Sequence, residues 1–244
     1  MAWISNLASR AYFRMSYWSV ARRSRIILSA GMPRSGSTWV FNAARLLLRS
    51  KGDLGSGWIE DWATIPRAPT VLVKVHAHDP FLARSAHAIL YSFRDIRDAL
   101  ASRKRMFGID PTLEDARQWL KFDRRWREQA AVTVRYESML ADPVGTVADL
   151  ASALGLSDAD PAGVLRQLAQ IDHQTPHIGL GAYDRETLLH RGHITDGRHG
   201  AWGGWLSPAF VRQLEQECGG WLAENGYVLQ TVPTDCSSVA SAVG

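Results

Sequence analysis

The chain has 244 residues, 46% of them hydrophobic and 21% charged, a composition that excludes a disordered chain. No apolar run is long enough to span a bilayer as a helix, and two cysteines, Cys218 and Cys236, are too few for a disulfide framework. The net charge of +4 is local: the first 50 residues hold eight Arg and no carboxylate, Asp53 being the first, so the remainder is net acidic and offers no broad face to nucleic acid.

In residues 1–25 the apolar side chains Ile4, Leu7, Ala11, Met15 and Trp18 recur at helical spacing, among Arg10, Arg14, Arg22 and Arg23. The pattern predicts a basic amphipathic helix. The first reading is a helix that packs this stripe on the domain behind it. The second is peripheral contact with an anionic membrane. An acid-free, Arg-rich segment also has the composition of an organellar transit peptide, whereas Arg22, Arg23 and Arg25 interrupt any secretory signal core. The location expected is cytoplasmic, with membrane association through residues 1–25 as the variant.

Residues 26–231 read as one domain. Arg25–Ala30 is a short apolar strand and Thr38–Arg49 is a helix. Between them lies Gly31-Met32-Pro33-Arg34-Ser35-Gly36-Ser37-Thr38-Trp39. Strand, glycine-bearing loop and helix start, in that order, make an anion cradle, because unpaired N–H groups and the helix dipole face the loop. Ser35, Ser37 and Thr38 add hydroxyls, and Arg34 adds a planar cation suited to phosphate. The two glycines keep the spacing of the nucleoside triphosphate loop, G-x-x-x-x-G-K-[ST], but Ser37 stands where that loop has its lysine.

Gly52–Ala68 reads as a Gly- and Trp-containing loop region. Thr70–Val75 is a β-branched strand ending in Lys74-Val75-His76, with His78 just beyond. Ala88–Phe93 is a further strand, and Asp95–Phe107 a helix. Arg94 closes that strand, and Ser102 lies eight residues on, where a turn into a helix returns its hydroxyl toward the arginine. Thr112–Gln129 is helical and Ala131–Tyr136 a strand. Thr146–Leu154, Pro161–Ile171 and Ser207–Asn225 are helices, the last with Ser207 as N-cap. The long stretch 172–204 has weak periodicity and holds Gly197-Arg198-His199-Gly200-Ala201-Trp202. Residues 232–244 are small and polar, and a mobile tail is expected there. Alternating strands and helices predict an α/β fold of three layers, a central parallel sheet flanked by helices. Its ligand crevice lies beyond the carboxyl ends of the strands, where residues 31–38, 76–80, 94–102 and the loop after Tyr136 meet.

The segment PRSGSTW resembles the 5′-phosphosulfate loop of the sulfotransferases that use 3′-phosphoadenosine 5′-phosphosulfate (PAPS). Arg94 and Ser102 fall on that family's 3′-phosphate motif, and Lys74-Val75-His76 is similar to its Lys-Thr-His segment. The resemblance implies a three-layer fold with a loop like that of the P-loop proteins, PAPS as donor, 3′-phosphoadenosine 5′-phosphate (PAP) as product, and no metal. It implies that Arg34, Ser35, Gly36, Ser37, Thr38 and Trp39 bind the donor with Arg94 and Ser102. By the same resemblance His76 is the general base, with His78 as competitor, and Lys74 and Arg34 hold the transferring group. Tyr136 would face the adenine. Gly197, Arg198, His199 and Gly200 match the family's late phosphate loop in part: Thr195 and Asp196 stand where it carries Arg and Lys, and Arg198 and Arg191 are the cations at hand. Thr175 aligns loosely with an adenine contact. The reaction implied is sulfuryl transfer to a hydroxyl or amine of a small-molecule, lipid or saccharide acceptor. Trp58, Trp62, Met106 and Phe107 are candidates for an apolar acceptor cleft. The alternatives are a P-loop kinase or nucleoside triphosphatase, against which the missing lysine argues, and a basic module for membrane or nucleic acid.

Overall fold

Among the described residues, β1 (Arg25–Gly31), β2 (Leu54–Trp58), β3 (Thr70–Val75), β4 (Ala88–Phe93) and β5 (Val132–Arg135) form one sheet in the order β2-β3-β1-β4-β5. Every pairing in it is parallel. The fold is that of a computed structural model, which describes residues 7–171, 183–190 and 197–230. The helices are α1 (Leu7–Ala21), α2 (Ser37–Arg49), α3 (Pro80–Ser85), α4 (Ile96–Phe107), α5 (Leu113–Arg127), α6 (Tyr136–Ala141), α7 (Pro143–Leu154), α8 (Pro161–Ala169) and α9 (Pro208–Glu224). This is the expected α/β fold with a central parallel sheet between two helical layers.

The layers follow from strand alternation. In β1, Ile26, Leu28 and Ala30 face a core built with α1, α4, α5 and α9, while Ile27 faces a second core built with α2, α7 and α8. Strands buried on both faces read as continuous apolar runs, which is why β1, β3 and β4 were visible in the sequence. Most helix starts were visible for a different reason. Asp95, Thr112, Asp160 and Ser207 each cap a helix by accepting from a backbone N–H of its first turn. Asp142 does the same for α7, which starts at Pro143 rather than at the expected Thr146. Such a cap contributes about 1 kcal/mol.

Several expectations need correction. The 52–68 region is not a loop: it forms the edge strand β2 and a 3₁₀ turn, Ile59–Thr64. The reason is steric. A Cβ on Gly55 would lie 1.9 Å from the Pro66 carbonyl oxygen, so only glycines let the 65–66 segment cross this strand. Residues after His76 and from Tyr136 on also turn into short helices, α3 and α6. Arg97, in the first turn of α4, is 3% exposed and bonds Asp95 and Glu215.

The N-terminal helix forms, but with the opposite face inward. Phe13 and Tyr17 are buried, at 6% and 0% exposure, whereas Ala11, Met15 and Trp18 of the expected stripe are exposed. The partners decide the orientation, since Phe13 and Tyr17 join an aromatic cluster with Trp62 and Phe81. Tyr17 meets Trp62 at 4.8 Å and Phe81 at 5.6 Å between ring centroids. Ile4, Thr175, Arg191, Thr195, Asp196 and the 232–244 tail lie outside the described residues.

Candidate active site

The loop from β1 to α2 is held in an unusual backbone shape. Arg34 has φ 65°, a left-handed conformation that a non-glycine residue adopts at a cost of order 1–3 kcal/mol. Gly36 follows at φ 75°, and a Cβ there would lie 2.9 Å from both Tyr136 and Met139. No side chain caps the N-terminus of α2. Its dipole and first N–H groups are thus presented to the cavity in front of them.

Ser35 is positioned differently from its neighbours. Its hydroxyl pairs with Ser92 Oγ at 2.9 Å and its N–H donates to the Met32 carbonyl, so it ties the loop to β4 and stays outside the cavity. Arg34, Gly36, Ser37, Thr38 and Trp39 line the cavity, which measures about 770 Å³. Lys74, His76, Arg94, Ser102, Tyr136 and Gly197 line it too. Segments far apart in the chain therefore meet around one space, at the carboxyl ends of β1, β3 and β4.

Two contacts join the sequence motifs. Arg34 Nε donates to Ser102 Oγ at 3.1 Å, and Arg94 Nη1 donates to the Arg34 carbonyl at 3.4 Å. The Arg94 guanidinium lies 4.2 Å from the centroid of the Tyr136 ring, and its Nη2 donates to the Arg198 carbonyl at 2.5 Å. Arg94 also faces Asp98 at 3.6 Å, and this carboxylate accepts from Gly200 N–H at 2.6 Å. The late loop thus enters through its backbone. The Arg198 and His199 side chains are exposed and do not line the cavity, and the Gly200 N–H is engaged by Asp98.

Charge makes the cavity receptive to a polyanion. Burial, with repulsion from Arg94 and Arg105, lowers Arg34 to about 10. Burial, then repulsion from Arg34, lowers Lys74 to about 7. Arg94 Nε is buried with no hydrogen-bond partner, a state that costs about 1–3 kcal/mol or more for a charged group until an acceptor arrives. Mutually repelling cations, an uncapped helix start and an orphaned guanidinium N–H fit a phosphorylated nucleotide. Among the described residues no group of three or more His, Cys, Asp or Glu is placed to hold a metal.

His76 has a defined tautomer. Its Nδ1 lies 2.6 Å from the Gly31 carbonyl, which can only accept, so Nδ1 carries the proton and Nε2 the lone pair. Burial, followed by the Lys74 charge, lowers its pKa to about 3 and keeps the ring neutral. Trp58 meets His76 edge-on at 5.0 Å, and Lys74 Nζ lies 5.1 Å from the Trp58 ring centroid. Lys74 also donates to Thr38 Oγ1. His78 is elsewhere: it packs on Trp126 at 4.7 Å, pairs with Gln129 and does not line the cavity.

Of the four side chains expected in an apolar cleft, Trp58 and Phe107 line the cavity, while Trp62 is buried under α1 and Met106 is not part of the wall. The sequence reading missed Asn42, Leu140, Leu168 and the segment 183–190, which supplies Tyr183, Leu188, Leu189 and His190. That segment is held by Asn42 Nδ2, which donates to the Thr187 carbonyl at 2.8 Å, and by Glu186, which takes Arg45 and Arg49. Its lack of periodicity was the available signal, since long irregular stretches in compact domains are commonly functional.

No family profile and no curated protein sequence matches the chain. Solved structures do. A mouse sulfotransferase, SULT7A1, complexed with PAP, aligns with a TM-score of 0.55 at 16% identity over 85% of this chain and 88% of its own. Retinol dehydratase in complex with retinol and PAP aligns with a TM-score of 0.55 at 16% identity over 86% and 84%. The same enzyme with androsterone and the inactive cofactor PAP gives 0.54 at 16% identity over 89% and 88%. The chain therefore has the fold of the PAPS-dependent sulfotransferases.

Proposed function

We propose that this protein transfers a sulfuryl group from PAPS to a hydroxyl or amine on an apolar small molecule. The observation that carries the reading is His76, a neutral imidazole fixed through Nδ1 on Gly31 and lining the same cavity as Lys74, Arg34 and the start of α2. Arg34, Gly36, Ser37, Thr38 and the α2 N-terminus hold the 5′ side of the donor. Arg94 and Ser102 hold its 3′-phosphate, and Tyr136 and Trp39 flank the base. The donor supplies the sulfuryl group. His76 Nε2 takes the acceptor proton, the new S–O or S–N bond forms, and the bond to the bridging oxygen breaks. Lys74 and Arg34 stabilise the charge growing on that oxygen, as in phosphoryl transfer, where fixed cations and positioning do most of the work.

The acceptor reading rests on the apolar part of the cavity lining. Trp58, Phe107, Leu140, Leu168 and Leu189 are apolar, which favours a molecule with an apolar body over a saccharide. Retinol and androsterone, named in the related structures, have this character. The deciding experiment is calorimetry with PAP against ATP and Mg²⁺, followed by a labelled-PAPS screen of apolar alcohols and amines. Tight PAP binding with no ATP turnover supports the proposal. ATP hydrolysis with weak PAP binding replaces it with a nucleoside triphosphatase.

A further inference from the structure

Helix α1 has two apolar faces. The inner one, Phe13 and Tyr17, is fixed on the 59–64 turn by ring contacts with Trp62 and by Trp62 Nε1 donating to Ser16 Oγ at 3.1 Å. The outer one carries Ala11, Tyr12, Met15 and Trp18 at positions about 100° apart per residue, which places them opposite Phe13 and Tyr17. Tyr12 is 74% exposed, Met15 72% and Trp18 53%, the first two among the most exposed large apolar side chains described. Large apolar groups left in water on one helix face, rather than scattered singly, mark an interaction surface.

Its chemistry selects the occupant. Arg10, Arg14, Arg22 and Arg23 are all exposed, and no carboxylate occurs before Asp53. The Arg22 guanidinium sits 4.7 Å from the centroid of the Trp18 ring. Trp and Tyr favour the boundary between headgroups and acyl chains, and arginines beside them meet lipid phosphates. No described helix is long and apolar enough to cross a membrane. A helix that lies in the surface, inner face held by the domain, needs no such length.

We infer that the outer face of α1 docks this protein on an anionic phospholipid surface. The placement matters for the cavity. The 59–64 turn under α1 continues directly from Trp58, which lines the cavity wall. Docking through α1 therefore fixes the helix that packs on the segment leading out of Trp58, while the α2 and α8 part of the cavity wall lies in the other layer.

The test is co-sedimentation of the full chain with phosphatidylcholine vesicles, with and without phosphatidylglycerol, at low and high salt. Binding is expected only with phosphatidylglycerol, and salt weakens it through screening of the arginines. The double variant Met15→Glu, Trp18→Glu lowers partitioning roughly tenfold or more, because two anions then face the lipid. Arg22→Glu with Arg23→Glu lowers it too. Thermal unfolding and PAP affinity stay at the parent values in all variants, since these side chains touch neither the core nor the cavity. Failure of the parent protein to sediment with anionic vesicles overturns the inference, as does equal binding by the Glu variants. A parent dimer that becomes monomeric on Trp18→Glu also overturns it, in favour of a second copy on this face. A lost vesicle contact with intact PAP binding leaves the proposed chemistry standing, so the two readings fail separately.

Discussion

Arg34 Nε and Ser102 Oγ lie 3.1 Å apart although 68 residues separate them in the chain. This contact closes the distance between a loop after β1 and the middle of α4. It places the cation of one sequence motif beside the hydroxyl of the other. Arg94 completes the group by donating to the Arg34 carbonyl. The arrangement explains why the buried cations repel one another and why a nucleotide carrying two separated phosphates suits them.

Arg94→Ala is expected to weaken PAP binding by one to two orders of magnitude, since a charge-assisted hydrogen bond is worth about 1.5–3 kcal/mol. Binding of adenosine 5′-monophosphate, which lacks the 3′-phosphate, changes far less. Calorimetry with both nucleotides checks this. Equal losses for the two ligands would show that Arg94 acts on the fold rather than on the 3′-phosphate.

His76→Ala is expected to lower turnover at least about 10²-fold, the usual contribution of a general base. PAP affinity stays within a few-fold, because His76 is held on Gly31 and the donor cradle is formed by other residues. His78→Ala retains near-parent turnover, its ring being packed on Trp126 outside the cavity. Single-turnover assays on both variants separate the two histidines, and a reversal of their effects would exchange the roles.

Lys74 sets a pH dependence whose sign is fixed by its lowered pKa of about 7 against an ordinary 10.5. Between those values the unfolded chain binds the proton that the folded chain has lost. This group's contribution to stability therefore rises with pH across that window and is smallest below about pH 7. Lys74→Met is expected to raise the Tm of the ligand-free protein at the acid end of the window, with the advantage shrinking toward pH 10. PAP reverses the preference by favouring the charged ammonium, so PAP binding at pH 8 takes up protons. Calorimetry in buffers of different ionisation enthalpy measures the uptake, and none would be seen if Lys74 lay outside the donor site.

Gly55→Ala is expected to cost roughly 1–3 kcal/mol, because the new methyl must displace the Pro66 carbonyl that it would otherwise meet at 1.9 Å. The same displacement moves β2, and with it Trp58 at its carboxyl end. Acceptor affinity falls more than PAP affinity. Thermal unfolding and an acceptor titration check the two effects.

The strands and helices of this protein that bury one or two continuous apolar faces were legible from residue order alone. So were the capped helix starts at Asp95, Thr112 and Ser207, since capping depends on residues three apart. The turn from β1 into α2 was legible because its glycines act through local backbone. Three features were decided only by tertiary packing. Segment 54–58 is a strand because it pairs with β3, with Gly55 leaving room for the 65–66 segment, both contacts between elements. The outward stripe of α1 was set by Phe13 and Tyr17 finding Trp62 and Phe81, which periodicity cannot weigh. That His76 and not His78 lines the cavity came from their partners, Gly31 and Trp126. Local chemistry is written in neighbouring residues. Which face is buried, and which nitrogen keeps its lone pair, depends on atoms that only folding brings within a few ångströms.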